Sequence, residues 1–209
     1  MTDADALTIA NGPGPTGNYH GRPGMGFLGT QALRFDGLAA SEARLHRVDV
    51  LKLDQLVAAD SQLSYVVSYQ LDDALTYAGG FVALDLRFDD GTRLSDLGPV
   101  DQLGFALTPS GQGESKALYP NQWNFRSSAL DAAVGRRAVA VELGWLPVEK
   151  DPVTGWLDRI RLETVVDKVS RRPVDHVVTT RGTQSNGRFS RGNNIPAAAW
   201  PNGFALFTP

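Results

Sequence analysis

The chain has 209 residues, of which 42% are hydrophobic and 21% are charged, with a formal net charge of -3 and a pI of about 5.6. This balance is ordinary for a globular protein, excludes wholesale disorder and gives no basic excess that would indicate a nucleic acid partner. There are no cysteines, which excludes disulfides, thiol catalysis and thiolate zinc sites.

The N-terminal segment, residues 1–26, is rich in glycine and proline, which predicts an irregular or flexible arm. It starts with acidic rather than basic residues, and no apolar run of the signal-peptide type follows, so we expect no visible export signal in this chain. Nowhere does the chain approach the roughly 20 apolar residues of a membrane span, and we expect no membrane partner.

Strand-like patterns begin at Phe27. Apolar side chains recur at every second position over residues 63–71, with polar residues between them, which predicts a half-buried strand. Residues 82–88 alternate in the same way, and the following Asp90-Gly91 predicts a tight turn. Residues 48–53 also alternate, but the apolar phase shifts midway, which is typical of a β-bulge.

Two further strands are predicted at residues 138–143 and 156–162. Before the first of these strands, the sequence suggests one short helix, with Ser128 as its cap and Gly135 at its end. Many short strands separated by turn signals indicate an all-β fold. We therefore expect an antiparallel β-sandwich, similar to a jelly roll, over residues 27–169.

The charged, proline-containing residues 170–173 are typical of a linker. Beyond it, residues 176–180 read as one strand and residues 182–194 as a Gly/Ser/Asn-rich loop. The segment 174–209 is too short to bury a core of its own. It either docks on the first domain or begins a second, incomplete domain.

Glycine, proline and neighbouring residues of this C-terminal segment fall in a distinctive order. They are Gly182-Thr183, Gly187, Pro196-Ala197, Pro201 and Gly203. In this order they resemble the start of the N-terminal β-sandwich domain of glycoside hydrolase family 92, a family of α-mannosidases.

Parts of residues 27–168 resemble an accessory sandwich that precedes the catalytic part in some members of that family. The residues that carry this second resemblance are 32–35, 62–65, 90–92, 94–98 and 121–124. The accessory region is similar in outline to jelly-roll carbohydrate-binding modules, so the resemblance implies a carbohydrate-binding-like domain.

The family resemblance also implies an activity and a location. Family members hydrolyse α-linked mannose from chain ends with inversion and with calcium, and they are secreted or extracellular. Their catalytic residues lie in a later barrel domain that has no counterpart in residues 1–209, so we assign no catalytic residue here. The implied partners are a mannose-containing glycan and the missing catalytic domain.

Trp123 is the candidate for contact with sugar, because it lies between polar residues that suit sugar hydroxyls, above all Asn121 and Asn124. A tryptophan of the sandwich core flanked by outward polar residues is the alternative. Trp156 shares an apolar register with Ile160 and is expected in the core.

Asp158 is the candidate metal ligand. In a regular strand its side chain shares a face with Trp156, Ile160 and Leu162, and an inward carboxylate needs a cation or a hydrogen-bonding partner. A structural calcium ion is one interpretation. A salt bridge, with Arg34 as one candidate, or an exposed position is the other.

Other polar groups favour no catalytic site. The adjacent acids Asp72-Asp73 and Asp89-Asp90 are typical of turns, and the three histidines show no zinc-binding spacing. We therefore expect the non-catalytic, N-terminal part of an α-mannosidase-like glycoside hydrolase. A free-standing carbohydrate-binding module and a structural spacer without ligand are the alternatives.

Overall fold

The computed structural model describes residues 7–13, 24–36, 44–70, 78–147, 154–165, 185–186 and 189–190. The chain divides into two compact units, Met1–Val166 and Asp167–Pro209. The predicted linker at residues 170–173, the predicted strand at 176–180 and the Asp72-Asp73 pair lie outside the described residues. The domain boundaries drawn from the sequence therefore stay predictions.

The described residues of the first unit form two antiparallel sheets. Five strands form one sheet in the order β1-β2-β8-β4-β6, and three form the other in the order β3-β7-β5. Their bounds are β1 Leu7–Asn11, β2 Gln31–Phe35, β3 His46–Leu56, β4 Ser61–Tyr69, β5 Val82–Phe88, β6 Asn124–Ala129, β7 Arg137–Trp145 and β8 Gly155–Thr164. This confirms the predicted all-β, antiparallel sandwich.

In the second unit, β9 (Ser185–Asn186) pairs with β10 (Phe189–Ser190) in an antiparallel hairpin. The hairpin lies inside the predicted loop at residues 182–194. That this unit begins a second sandwich domain stays a prediction.

The core of the first unit lies between its two sheets. Leu63, Tyr65 and Tyr69 of β4 meet Leu84 and Leu143 of the opposite sheet, and all are at most 1% exposed. The Tyr65 hydroxyl reaches across the core and accepts a hydrogen bond of 3.4 Å from the backbone amide of Leu84. Burial raises the pKa of Tyr65 well above its ordinary value of 10.0. The alternating apolar residues thus form one layer of side chains shared by both sheets.

Strand β4 differs from the predicted half-buried strand, because both of its faces are buried. Ser64, Val66 and Ser68 point away from the core, yet they are at most 5% exposed. These side chains are small and β4 is the inner neighbour of both β8 and β6, so larger side chains on those strands cover them. On β8 and β6, Trp156 lies opposite Ser68 and Phe125 lies opposite Val66.

Three strand pairings contain register shifts, and the one between β5 and β7 lies at Arg87 and Phe88. In β3 the register shifts between Asp49 and Leu51 and again before Gln55, which confirms the predicted change of phase. In β8 the register shifts where Arg159 takes a φ of +50°, a bulge that the sequence pattern did not predict.

The predicted helix at Ser128–Gly135 is wrong. Strand β6 runs through Ser128 to Ala129 and is followed by a single 3-10 turn, Asp131–Ala133. Leucine and alanine residues there pack into the core as the chain turns towards β7. Gly135, with a φ of +84°, ends the turn as expected of a glycine at such a site.

The one α-helix of the described residues is α1, Pro109–Ser115. Thr108 caps it, since its hydroxyl accepts a hydrogen bond of 3.1 Å from the amide of Gly111, and Pro109 occupies the first helical position. Threonine followed by proline is a helix-start signal that was present in the sequence and was missed.

A buried polar network fixes α1 to β6. The Arg126 guanidinium, 4% exposed, lies 3.2 Å from the Asp101 carboxylate, which is fully buried. Gln112 of α1 joins the pair: its amide donates to Asp101 at 3.0 Å and its carbonyl accepts from Arg126 at 2.6 Å. Asp101 also accepts from the amides of Leu103 and Phe105. The three side chains therefore bind one another despite their burial, while Nη2 of Arg126 has no hydrogen-bond partner among the described residues.

Strand β6 lies at one side of the five-stranded sheet. There the Gln102 side chain donates to the carbonyl of Phe125 at 2.9 Å and accepts from the amide of Ser127 at 2.9 Å. Both backbone groups point away from β4.

The turn at Asp90-Gly91 is present, with a φ of +82° at Gly91. Asp90 accepts hydrogen bonds from the amide and hydroxyl of Thr92, and these bonds lower the pKa of Asp90. The turn role predicted for Asp89-Asp90 fits these contacts.

Residues Leu7–Asn11 lie within the predicted arm, yet they form β1 and pair with β2. The short alternation Leu-Thr-Ile-Ala was hidden by the glycine and proline residues around it. Among the described residues, no helix is long and apolar enough to cross a membrane.

Candidate functional site

The candidate site lies on the outer face of the five-stranded sheet, meaning the face turned away from the three-stranded sheet. Register pairing places Arg34, Trp156 and Ser68 in one row across β2, β8 and β4. Asp158, Val66 and Phe125 form the next row across β8, β4 and β6. Trp156 is buried as expected, but it lies on this outer face and not between the sheets.

The bulge in β8 decides which way Asp158 points. Because Arg159 adds a residue to the strand, Asp158 shares the outer face with Trp156, whereas Ile160 and Leu162 pack against the core. The predicted face shared by Asp158, Ile160 and Leu162 is therefore wrong, since it assumed a regular strand.

A segment we call the strap, residues 24–30, lies against this face. Asp158 Oδ2 accepts a hydrogen bond of 3.0 Å from the amide of Leu28, and Asp158 Oδ1 accepts one of 2.7 Å from the amide of Arg159. Space for the strap depends on Gly12, where a side-chain Cβ would lie 1.8 Å from the carbonyl oxygen of Met25. The carboxylate of Asp158 thus fixes the strap through a backbone group.

The strap also places an aromatic ring against Trp123. The rings of Phe27 and Trp123 meet edge to face, with centroids 6.1 Å apart and planes at 73°. Phe27 is 44% exposed and Trp123 is partly exposed. The two positions proposed from sequence, Trp123 and Asp158, are therefore joined through adjacent residues of one segment. Phe27 was not predicted, because only its position at the start of the strand-like region was noticed.

Asn124 plays an internal role. Its carbonyl oxygen accepts from the amide of Tyr119 at 2.9 Å, and its amide donates to the carbonyls of Tyr119 and Gln122 at 2.8 and 2.9 Å. These bonds hold the turn that precedes β6, in which Asn121 has a φ of +57°. Asn124 is buried, so among the predicted sugar contacts Trp123 and Asn121 are the ones that reach the surface. Sugar contact itself stays a prediction.

A cleft of about 430 Å³ lies beside Gly24, the first residue of the strap. It is lined by Ala10, Asn11, Gly12, Gly24, Arg34, Gln70 and Trp156. Trp156 contributes a largely buried side chain to the lining, and its indole donates a hydrogen bond of 3.0 Å to the carbonyl of Asn11. The cleft thus combines one aromatic side chain with amide and guanidinium groups.

Arg34 is held in place beside the cleft. Its guanidinium lies 5.5 Å from the centre of the Trp156 ring and forms a two-pronged ion pair with Asp36, at 2.6 and 2.8 Å. Thr154 donates a further hydrogen bond of 2.8 Å to Asp36. The partner of Arg34 is therefore Asp36 and not Asp158, and the positive charge of Arg34 is largely balanced.

The outer face of the three-stranded sheet carries a second group of charges. Asp49, Glu142 and Asp85 lie opposite one another on β3, β7 and β5. Arg87 joins Asp49 and Glu142 at 2.7 and 2.8 Å, and Arg93 joins Glu142 at 2.7 Å. Burial raises the pKa of Asp85. Paired arginines balance these carboxylates, an arrangement that suits structure more than acid–base chemistry.

Across the described ranges, no three or more histidine, aspartate or glutamate side chains are grouped so that they could hold a metal ion. Within the described part of the chain, Asp158 accepts hydrogen bonds from two backbone amides. The calcium ion predicted from sequence is not tested by these contacts and stays a prediction.

The chain is similar to parts of two solved structures. No family model and no curated protein matches the sequence. Among solved structures, a β-1,2-glucanase from Parabacteroides distasonis is similar over 76% of this chain and 23% of its own, at 16% identity and a TM-score of 0.43. The Endo-D glycoside hydrolase domain from Streptococcus pneumoniae R6 is similar over 72% of this chain and 20% of its own, at 14% identity and a TM-score of 0.37. This chain spans less than a quarter of either protein.

Proposed function

We propose that this chain is a non-catalytic, carbohydrate-binding β-sandwich that forms the N-terminal part of an α-mannosidase-like glycoside hydrolase. The observation that carries the carbohydrate-binding part is the edge-to-face pair of Phe27 and Trp123 on the outer face of the five-stranded sheet. The mannosidase part rests on the resemblance of residues 174–209 to the start of a family 92 domain.

The chemistry of the aromatic pair suits a sugar ring. The C–H faces of pyranoses are apolar and pack on aromatic rings, while their hydroxyl groups need hydrogen-bonding neighbours. Phe27 offers an exposed ring, and Trp123 supports it from the side. Asn121 and Gln122, both partly exposed, lie directly before Trp123 and supply polar groups. The resemblance makes mannose-containing glycans the class of ligand to test first.

The test is a calorimetric titration of the full chain with mannose and with α-linked mannobiose. We expect weak binding, and Phe27→Ala should lower the affinity about tenfold, a loss of about 1.4 kcal/mol. Leu51→Ala, at a 52% exposed position of β3 on the other sheet, is the matched control and should bind like the wild type. Equal affinities for the two variants would reject the aromatic pair as the site.

The same samples test the non-catalytic part of the proposal. Incubated with an aryl α-mannoside in the presence of calcium, the chain should release no mannose above a heat-treated control. Mannose release would contradict it.

A structural spacer without ligand is the second candidate. It is favoured by the internal bonding of Asn124 and by Trp156, which is only 3% exposed. Under this alternative no sugar binds to any variant.

A further inference from the structure

We infer that the cleft beside Trp156 is a second sugar subsite, so that the ligand of the outer face is an extended, neutral oligosaccharide rather than a single sugar. This inference rests on the proposed carbohydrate-binding function. It adds a site whose lining includes neither Phe27 nor Trp123.

The sheet fixes the distance between the two subsites. Trp156 on β8 lies opposite Ser68 on β4, and Trp123 directly precedes β6, the next strand along. Since neighbouring strands lie about 4.8 Å apart, the backbones of the two tryptophans are separated by roughly 10 Å. A single sugar ring that fills one subsite does not fill the other, whereas a chain of linked rings spans both.

The strap connects the subsites. Its first residue, Gly24, lines the cleft, and Phe27 belongs to the aromatic pair. Between them, Gly26 comes so close to β2 that a Cβ would lie 2.5 Å from the carbonyl oxygen of Gln31. The hydrogen bond from Leu28 to Asp158 fixes the far end. Both subsites are therefore held by one segment whose backbone is fixed at several points.

The groups that line the cleft favour a neutral ligand. Asp36 binds Arg34 through two oxygens, which balances its charge and leaves the remaining guanidinium N–H groups as donors. The side chain of Asn11 is an exposed amide, which both donates and accepts. Amides and a balanced guanidinium suit hydroxyl groups, whereas an acidic sugar would meet the Asp36 carboxylate close by.

The cleft can be filled without touching the aromatic pair. Ala10 lines it from β1, and Thr8 lies on the same face of the same strand but outside the cleft. Ala10→Leu therefore blocks the cleft, and Thr8→Leu is the matched control. Asn11→Ala is a gentler second variant, because the backbone carbonyl that Trp156 bonds is retained.

The experiment titrates the wild type and these variants with mannose, α-linked mannobiose, a longer α-linked manno-oligosaccharide and a uronic acid oligosaccharide. We expect affinity to rise with chain length in the wild type. Ala10→Leu should lower the affinity for the longest neutral ligand at least tenfold while that for mannose is unchanged, and Asn11→Ala should lower it less. Phe27→Ala should weaken all neutral ligands.

The outcomes separate the two proposals. If Phe27→Ala weakens binding, but neither the chain length of the ligand nor Ala10→Leu changes the affinity, the second subsite is overturned. The proposed function then remains in place. Preferred binding of the uronic acid ligand overturns the neutral character of the cleft. Absence of binding to every sugar overturns both proposals.

Discussion

The amide of Leu28 donates a hydrogen bond of 3.0 Å to the carboxylate of Asp158, across a sequence separation of 130 residues. This bond ties the strap to β8 and places the preceding residue, Phe27, against Trp123. The removal of the carboxylate should therefore affect both stability and the aromatic surface.

We expect Asp158→Ala to lower the free energy of unfolding by about 1–3 kcal/mol, because two backbone amides lose a charged acceptor. The corresponding fall in melting temperature is roughly 2–4 °C per kcal/mol for a chain of this size. Asp158→Asn keeps one acceptor oxygen and should fall between the wild type and Asp158→Ala. Thermal melts measure the order of stability of the three proteins. An alanine variant as stable as the wild type would show that the hydrogen bond between Leu28 and Asp158 does not stabilise the fold.

Calcium provides a separate test at the same residue. The sequence predicts that an ion bound at Asp158 would stabilise the chain by about 2.7 kcal/mol when free calcium is 100 times its dissociation constant. In that case a chelator lowers the melting temperature of the wild type, and Asp158→Asn removes the difference. Coincident melts with chelator and with millimolar calcium would leave the two backbone amides as the partners of Asp158.

Gly12→Ala should be among the most damaging single substitutions in the chain. Its Cβ would lie 1.8 Å from the carbonyl oxygen of Met25, so the strap or β1 must move. We expect a loss of about 3 kcal/mol or more. Gly29→Ala is the control: no atom lies within 4 Å of its Cβ, and only the positive φ of +78° costs energy, about 1–2 kcal/mol. Urea unfolding compares them, and equal losses would mean that the close approach at Gly12 is readily relieved.

Asp101→Asn tests the buried network. Neutralising Asp101 leaves the Arg126 charge buried and unpaired, and we expect a loss of about 3–5 kcal/mol. Asp54→Asn removes the partner of Arg137 in an ion pair whose side chains are 48% and 74% exposed, and should cost far less because solvent screens the pair. Denaturant midpoints, compared at equal m-values, give the loss of stability for each of the two variants. Similar losses would show that burial adds nothing to the Arg126 pair.

Asp85 gives a pH dependence with a defined sign. Burial raises its pKa above the ordinary value of 3.8, so over the interval between these two pKa values the folded chain binds more protons than the unfolded chain. Stability from this group is therefore lost as the pH rises through that interval. Asp85→Asn keeps the acceptor for the amides of Leu86 and Ser95 and should remove this part of the slope. If the free energy of unfolding of the wild type and of Asp85→Asn changes with pH in parallel, Asp85 is not the source of this pH dependence.

Unit Met1–Val166 should fold without the rest of the chain, because the described core lies within it. A fragment that starts at residue 27 should be less stable than one that starts at residue 1, since it lacks β1 and its pairing with β2. Thermal melts of the two fragments and the full chain make the comparison. Loss of the cooperative transition in fragment 1–166 would place the boundary elsewhere.

The strands could be predicted from sequence because alternation and turn residues are local signals. The pattern over residues 82–88 and the phase shift in β3 both correspond to observed elements. The helix start at Thr108-Pro109 was equally local and could have been found.

The candidate site depended on information that the local pattern does not contain. Arginine is not a residue that favours a positive φ, so nothing in the sequence marked Arg159 as the bulge that turns Asp158 outward. The contact between the strap and β8 joins distant parts of the chain, and only the folded sheet brings Phe27 to Trp123. Trp123 and Asp158 could be named in advance, but their connection could not.

The two hydrogen bonds from Gln102 to β6 have a consequence for how molecules of this protein meet one another. The carbonyl of Phe125 and the amide of Ser127 are the groups that an incoming strand would need in order to extend the sheet, and one glutamine side chain already binds both. An open sheet margin invites pairing with a second molecule and the growth of fibrous aggregates. The side-chain amide of Gln102 therefore blocks strand addition at this edge of the sheet. Edge strands are more commonly protected by a charged residue or a proline.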